Sequence, residues 1–192
     1  MSGGRSAGIV LAAGESRRMG KPKQLLPLDG RPLLEHVVAA ACDSRLDEVV
    51  VVLGANADAI RQAVSWGRAR IVGNPRHAEG MSTSLRAGVE ALDATVDRCA
   101  VILGDQPSLT AALVDRLLEA QTESRLPVAA LQVDGLLQPP VVLGRELWPD
   151  LLALQGDVGL REVLRSRPDQ VAAVVPPTAP VDVDTPEDYA RL

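Results

Sequence analysis

Four cations, Arg17, Arg18, Lys21 and Lys23, follow the small-residue run Ala12-Ala13-Gly14. Small side chains let a ligand approach the main chain closely. A guanidinium such as Arg18 can fork two phosphate oxygens, and an ammonium such as Lys23 brings a compact charge, so the pair suits a polyphosphate. The segment matches neither the dinucleotide-binding G-x-G-x-x-G nor the phosphate loop G-x-x-x-x-G-K-[ST]. Spacing alone therefore weighs a phosphate site evenly against a turn followed by a solvated basic stretch.

Carboxylates supply the complementary chemistry. Asp105 follows the apolar residues 99–103 and so is expected at a strand's carboxyl end, where open α/β sheets place ligands. There it can hold Mg²⁺ through hard oxygen contacts, or simply start the turn before Pro107. Asp182 and Asp184 alternate along a short expected strand, residues 181–183, and share one face as possible further metal ligands. Asp184-Thr185-Pro186 equally has the form of a helix cap. Ser82, Thr83 and Ser84 precede an expected helix, and each hydroxyl either caps it or meets a ligand. Asn74, before Pro75, is a turn residue by type. His36 and His77 have no partner motif, and Trp66 and Trp148 are packing residues by type.

The elements that must position these groups alternate. Residues 6–13, 48–53, 69–72 and 99–103 have the short apolar form of buried parallel strands. Between and after them, residues 32–42, 55–64, 82–92 and 110–124 have helical patterns, the last with Leu113, Leu117 and Leu118 on one face. This is α/β alternation. Residues 128–133 and 140–143 flank Asp134-Gly135 as a hairpin would. Helices over 145–154 and 158–165, a strand over 170–175 and a helix start at Thr185-Pro186 complete the chain.

The chain has 192 residues, which fits one domain, residues 1–192. With no Phe, the core must be built from Ala, Val and Leu, which favours close helix–sheet packing. The net charge of −5 opposes non-specific nucleic-acid binding. Cys42 and Cys99 are far apart and make neither a disulfide framework nor a zinc site. The first apolar run is too short for a signal peptide and nothing later approaches a membrane span, so a cytoplasmic location and no membrane partner are expected.

Leu11-Ala12-Ala13-Gly14, Ser16, Arg18-Met19-Gly20, Lys23 and Leu25-Leu26-Pro27 resemble the signature of the GT-A-like nucleotidyltransferases. Residues 79–88 resemble the loop and helix start around base and ribose in the molybdenum cofactor cytidylyltransferase group. Leu103-Gly104-Asp105-Gln106-Pro107 resembles its metal motif, Gly156-Asp157-Val158-Gly159 its acceptor-side loop, and residues 183–188 its C-terminal signature. The resemblance implies a three-layer α/β/α, Rossmann-like GT-A fold with a mostly parallel, mixed sheet. It implies Mg²⁺-dependent transfer of a nucleoside monophosphate to a phosphate acceptor, with pyrophosphate released.

By the same resemblance Lys23, Arg18 and Asp105 are catalytic. Leu11, Ala12, Ala13, Gly14, Lys23, Gly80, Ser82 and Ser84 hold the nucleotide, and Asp105 and Asp184 the metal. Guanylyltransferase relatives tend to carry Gly-Gly where this chain has Ala13-Gly14, which favours CTP. The implied acceptor is molybdopterin, with a molybdoenzyme as possible protein partner. Gln138-Pro139-Pro140-Val141 departs from the pattern and leaves a sugar or polyol phosphate open as acceptor, and GTP stays open as donor. A glycosyltransferase on the same fold would carry Asp-x-Asp, which Gly104-Asp105-Gln106 lacks, and a non-catalytic nucleotide-binding chaperone would not need Lys23.

Overall fold

The structure, a computed structural model, describes residues 4–192. The first three residues of the N-terminal segment weighed against a signal peptide lie outside them. In chain order the elements are β1 Ser6–Ala12, β2 Pro27–Leu28, β3 Arg31–Pro32, α1 Leu33–Asp43, β4 Glu48–Leu53, α2 Ala57–Ala63 and β5 Arg70–Gly73. Then come α3 Met81–Glu90, β6 Arg98–Leu103, α4 Ala111–Ser124, β7 Val128–Val133, β8 Leu136–Gly144, α5 Trp148–Ala153, α6 Leu160–Ser166, β9 Val171–Val174 and α7 Pro186–Tyr189.

Seven strands form one sheet in the order β5-β4-β1-β6-β8-β7-β9. β1 lies between β4 and β6, parallel to both, with Leu11 opposite Val52 and Leu103. The carboxyl ends of these three strands therefore finish at one level. β8 runs antiparallel to β6 and β7 and makes the sheet mixed, while β9 returns parallel to β7. The β7–β8 turn holds Asp134 and Gly135 at φ 50° and 77°, the left-handed pair that a tight hairpin requires.

Strand alternation divides the core in two. Val10, Val49, Val51, Ala100 and Ile102 face Leu34, Val37, Ile60, Leu117 and Leu118 on one side of the sheet. Ile9, Val50, Val52, Cys99 and Val101 face Leu85, Val89, Leu151, Val163 and Leu164 on the other. This is a three-layer α/β/α arrangement, and each wholly buried Leu or Ile contributes roughly 1.5–3 kcal/mol. The expected close packing is visible where α3 crosses β1: a Cβ at Gly88 would lie 2.4 Å from Ile9 Cγ2. Cys99 is wholly buried, and burial pushes its thiol up to about 12, so it packs as a small hydrophobe. Cys42 is half-buried against the core on the opposite face of the sheet. Among the described residues no helix is long and apolar enough to cross a membrane.

Three expectations fail locally. Residues 181–183 form no strand, because Val183 N–H donates to Asp105 O at 3.0 Å and Val181 N–H to Ser108 Oγ at 3.2 Å without a ladder partner. The segment expected as one helix over 145–154 is a 3₁₀ turn, Arg145–Leu147, followed by α5, whose Pro149 can only enter a helix at its start. No hydroxyl caps α3: Gly80 is its N-cap, and Ser82, Thr83 and Ser84 lie inside the first turn. Trp148 is 8% exposed, packed in the core beneath Arg145, and is a packing residue as its type suggested.

Candidate active site

The loop after β1 leaves the sheet at Ala13 and is tied down by a side chain with no obvious signal. Gln24, 2% exposed, donates from Nε2 to Ala12 O at 3.2 Å and Gly14 O at 3.1 Å. Ser16 sits at φ 57°, a conformation rare for a side-chain-bearing residue, and its hydroxyl accepts from Lys23 N–H at 3.0 Å while donating to Gln24 Oε1 at 3.3 Å. Sequence reasoning missed Gln24; the available clue was a lone amide in the otherwise apolar Leu25-Leu26-Pro27 approach.

These bonds aim Lys23 at the carboxyl end of β6. Its Nζ donates to Asp105 Oδ2 at 2.5 Å and to Asp184 Oδ1 at 2.8 Å, with only 15% of the side chain exposed. Arg18 Nη2 reaches the other Asp184 oxygen at 2.9 Å from an exposed position. Thus Lys23, Arg18, Asp105 and Asp184, far apart in sequence, form one chain of ion pairs. Asp184 is delivered there by the Val183–Asp105 backbone bond and by α7, where Thr185 and Asp188 form a capping box. Tyr189 Oη adds a hydrogen bond to Pro27 O, anchoring the C-terminal turn beside the same loop.

Electrostatics follow from this geometry. Burial is the strongest single influence on Lys23 and opposes its charge, yet Asp105 and Asp184 outweigh it and hold its pKa above the ordinary lysine value. Burial likewise works against the Asp184 carboxylate, but Lys23 and then Arg18 overcome it and lower its pKa. Asp182 behaves oppositely. Burial raises its pKa, the hydrogen bond from Gln106 opposes that, and the nearby Asp105 and Asp184 charges add to the rise. Gln106 Nε2 donates to Asp182 Oδ1 at 2.8 Å and more weakly to Pro139 O at 3.4 Å. The departing Gln138-Pro139-Pro140-Val141 stretch thus abuts the site through Gln106, with a cis Pro139–Pro140 peptide bond.

The opposite wall begins at Gly80, whose φ of 115° and tight contact exclude a side chain: a Cβ would lie 2.2 Å from the carbonyl carbon of Gly156. The chain over 156–157 serves as the missing α3 cap, since Ser82 N–H donates to Gly156 O at 3.2 Å and Met81 N–H to Asp157 Oδ1 at 3.3 Å. Asn74, 4% exposed, is more than a turn residue, because its Nδ2 donates to Thr83 Oγ1 and Ser84 Oγ, each at 2.9 Å. Ser84 is thereby fixed from within, while Ser82 lines a polar cleft of about 400 Å³ with Arg76, Thr83, Arg86 and Gly156. Gly80, Ser82 and Ser84 stand together but make no hydrogen bond to the Lys23 cluster.

Whether these residues fit a divalent metal is tested by Asp105. Its Oδ1 is buried without a partner, and its other oxygen converges with Asp184 on one cationic atom. These are the hard oxygens a divalent cation takes, converging on a position that Lys23 Nζ occupies here. Among the described residues no group of three or more His, Cys, Asp or Glu forms a ready-made cage, so a metal here would rely on two carboxylates and substrate oxygens.

The mixed α/β sheet, with a cationic loop and with Asp105 at the carboxyl end of a central strand joined there by Asp184, is that of a nucleotidyltransferase of the GT-A-like fold. The chain belongs to the MobA-like NTP transferase domain family, whose model matches residues 8–171. It is 37% identical to nicotine blue oxidoreductase of Paenarthrobacter nicotinovorans, over 96% of this chain and 95% of that protein. It is 30% identical to the purine catabolism protein PucB of Bacillus subtilis, over 95% and 93%. Among solved structures, Rv0371c of Mycobacterium tuberculosis in complex with manganese superposes with a TM-score of 0.84 at 27% identity, over 98% of this chain and 97% of that one.

Proposed function

We propose that the chain transfers CMP from CTP to the terminal phosphate of molybdopterin, releases pyrophosphate, and uses Mg²⁺. The observation that carries the transfer chemistry is the placement of Lys23 Nζ between Asp105 and Asp184 beside the Gly14 loop. The CTP preference rests on Ala13-Gly14, where guanylyltransferase relatives tend to carry Gly-Gly. The molybdopterin acceptor rests on the likeness of residues 79–88 and 156–159 to the cytidylyltransferase group, two segments that touch here at Gly80. A cytoplasmic location follows the supply of nucleotide.

In this reading the main-chain groups of Leu11, Ala12, Ala13 and Gly14 border the nucleotide, with Gly80, Ser82 and Ser84 opposite. Arg18, 66% exposed and free to turn, holds the β- and γ-phosphates. An acceptor phosphate oxygen attacks the α-phosphorus, the bond from that phosphorus to the bridging oxygen breaks, and pyrophosphate carries away the electron pair. Lys23 stabilises the negative charge that builds on the α-phosphoryl oxygens. Asp105 Oδ1 and Asp184 would hold Mg²⁺, which when bound neutralises phosphate charge. The attacking phosphate is already anionic at neutral pH, so positioning and electrostatics suffice without a protein base.

The test is incubation with each nucleoside triphosphate, Mg²⁺ or Mn²⁺, and molybdopterin or a panel of sugar and polyol phosphates, following pyrophosphate and product mass. CTP with molybdopterin should give the fastest release. Turnover with a sugar phosphate and none with molybdopterin would replace the acceptor, and a GTP preference would replace the donor. Tight CTP binding without transfer would indicate a chaperone. Reduction of nicotine blue, the activity the Paenarthrobacter relative's name denotes, run in parallel without pyrophosphate release, would sink the transfer reading.

A further inference from the structure

We infer that Lys23 is the resident counter-ion of the acidic pair in the nucleotide-free protein, so that a divalent cation is admitted only together with the triphosphate. This rests on the transfer reading above and concerns the order in which its site is filled. The ammonium lies 2.5 Å from Asp105 Oδ2 and 2.8 Å from Asp184 Oδ1, in the position from which a single cation can touch both carboxylates. The Lys23 and Asp105 side chains are 15% and 17% exposed, so solvent screens that pair poorly, while Asp184 at 37% is open to solvent on one side. Arg18 occupies the remaining Asp184 oxygen.

A second cation entering this space with Lys23 in place meets repulsion at close range, and each carboxylate oxygen it gains from Lys23 must first lose a charge-assisted hydrogen bond. Asp105 Oδ1 alone is unengaged, and one monodentate oxygen is a weak hold for a hydrated divalent ion. A triphosphate changes the balance, because it gives Lys23 and Arg18 another anionic partner and brings oxygens of its own to the metal. Nucleotide and metal should accordingly bind with strong positive coupling, and the coupling should pass through Lys23.

The experiment is Mn²⁺ titration of the full chain, read by the electron paramagnetic resonance of free Mn²⁺, with and without a non-hydrolysable CTP analogue. Wild type should bind Mn²⁺ at least about tenfold more weakly without the analogue, equivalent to roughly 1.4 kcal/mol. Lys23→Met, of similar length and without charge, should bind Mn²⁺ without nucleotide at least about tenfold more tightly than wild type does. Asp105→Asn should abolish that gain. Equal Mn²⁺ affinity in wild type and Lys23→Met without nucleotide overturns the inference and leaves the transfer reading standing. Wild type binding Mn²⁺ as tightly without the analogue as with it overturns it also, even if the variant does not fold. No Mn²⁺ binding by any protein with the analogue present overturns both.

Discussion

Lys23, Asp105, Asp184 and Arg18 are joined on one wall of the site by ion pairs of 2.5 to 2.9 Å, whereas the wall over 156–159 meets α3 through two longer hydrogen bonds, at 3.2 and 3.3 Å. In the first wall Lys23 and Asp105 meet beside the buried ends of β1 and β6, with Asp184 brought in by the C-terminal segment, and the second wall hangs from an exposed loop between two short helices. In the proposed function Lys23 and Asp105, which would meet the triphosphate at every turnover, are thus the more closely held, because misplacing them would cost rate directly. The wall assigned to the acceptor is free to vary. Under the proposed function, nucleotide chemistry and acceptor choice should be separable, and substitutions should affect them separately.

Asp105→Asn breaks the rigid wall most severely. It keeps the shape and removes the charge that Lys23 opposes, so pyrophosphate release should fall by about 10²–10³-fold, the range typical of losing one electrostatic contact to a reacting group. Circular dichroism should be unchanged. Normal turnover in this variant would mean that the two walls do not divide the chemistry as argued.

Gly80→Ala attacks the junction of the two walls. The added Cβ meets Gly156 within 2.3 Å at two backbone atoms, and the left-handed φ disfavours any side chain by about 1–3 kcal/mol. Melting temperature should drop by about 2–4 °C per kcal/mol for a chain of this size. CTP KM and acceptor KM should both rise, because Gly80 borders the nucleotide in the proposed function and packs against the loop over 156–157. An unchanged CTP KM would remove Gly80 from the nucleotide's wall.

The same comparison explains what was legible in the sequence. The strand Glu48–Leu53 and the hairpin at Asp134-Gly135 announce themselves by local pattern, since continuous β-branched residues and a left-handed turn pair have few alternatives. Asp105 was placed correctly because a carboxylate after a buried strand has a defined position in an open sheet. Meeting Asp184 was not legible from spacing, because it depends on one backbone bond between Val183 and Asp105 formed across the fold. Gln24 and Asn74 were underread for a related reason: a buried amide has no sequence period, and its value lies wholly in partners contributed by distant segments. The capping of α3 by residues 156–157 rather than by Ser82, Thr83 or Ser84 is the same kind of tertiary substitution for a local rule.

Thr185→Ala tests how far the C-terminal turn supports the rigid wall. Thr185 Oγ1 accepts from Asp188 N–H at 3.2 Å, and the Asp188 carboxylate returns a bond to Thr185 N–H at 2.9 Å. Loss of such a cap costs about 1 kcal/mol, a fall of about 2–4 °C in melting temperature. If Asp184 is positioned by this cap, kcat should fall several-fold as well; an unchanged kcat would show that the Val183–Asp105 bond, the Asp184 N–H to Asp188 bond and the Lys23 and Arg18 ion pairs hold it without the Thr185 hydroxyl.

Asp182→Asn gives the smallest effect and has the opposite sign. Asp182 lies on the rigid wall but is pushed towards its neutral form, by burial above all and by the Asp105 and Asp184 charges, against the bond from Gln106. A carboxyl whose folded pKa is raised binds more protons folded than unfolded between 3.8 and that raised value, so stability falls as pH rises through that window. Asn accepts the same Gln106 bond through its Oδ1 and carries no charge. The variant should melt about 1–3 °C above wild type at neutral pH, a shift of under roughly 1 kcal/mol for a chain of this length. The gap should close as pH is lowered below 3.8, where the wild-type carboxyl becomes protonated in both states. A gap that widens in acid would show that the Asp182 carboxylate is an asset to the folded wall, paired with a cation rather than strained by its acidic neighbours.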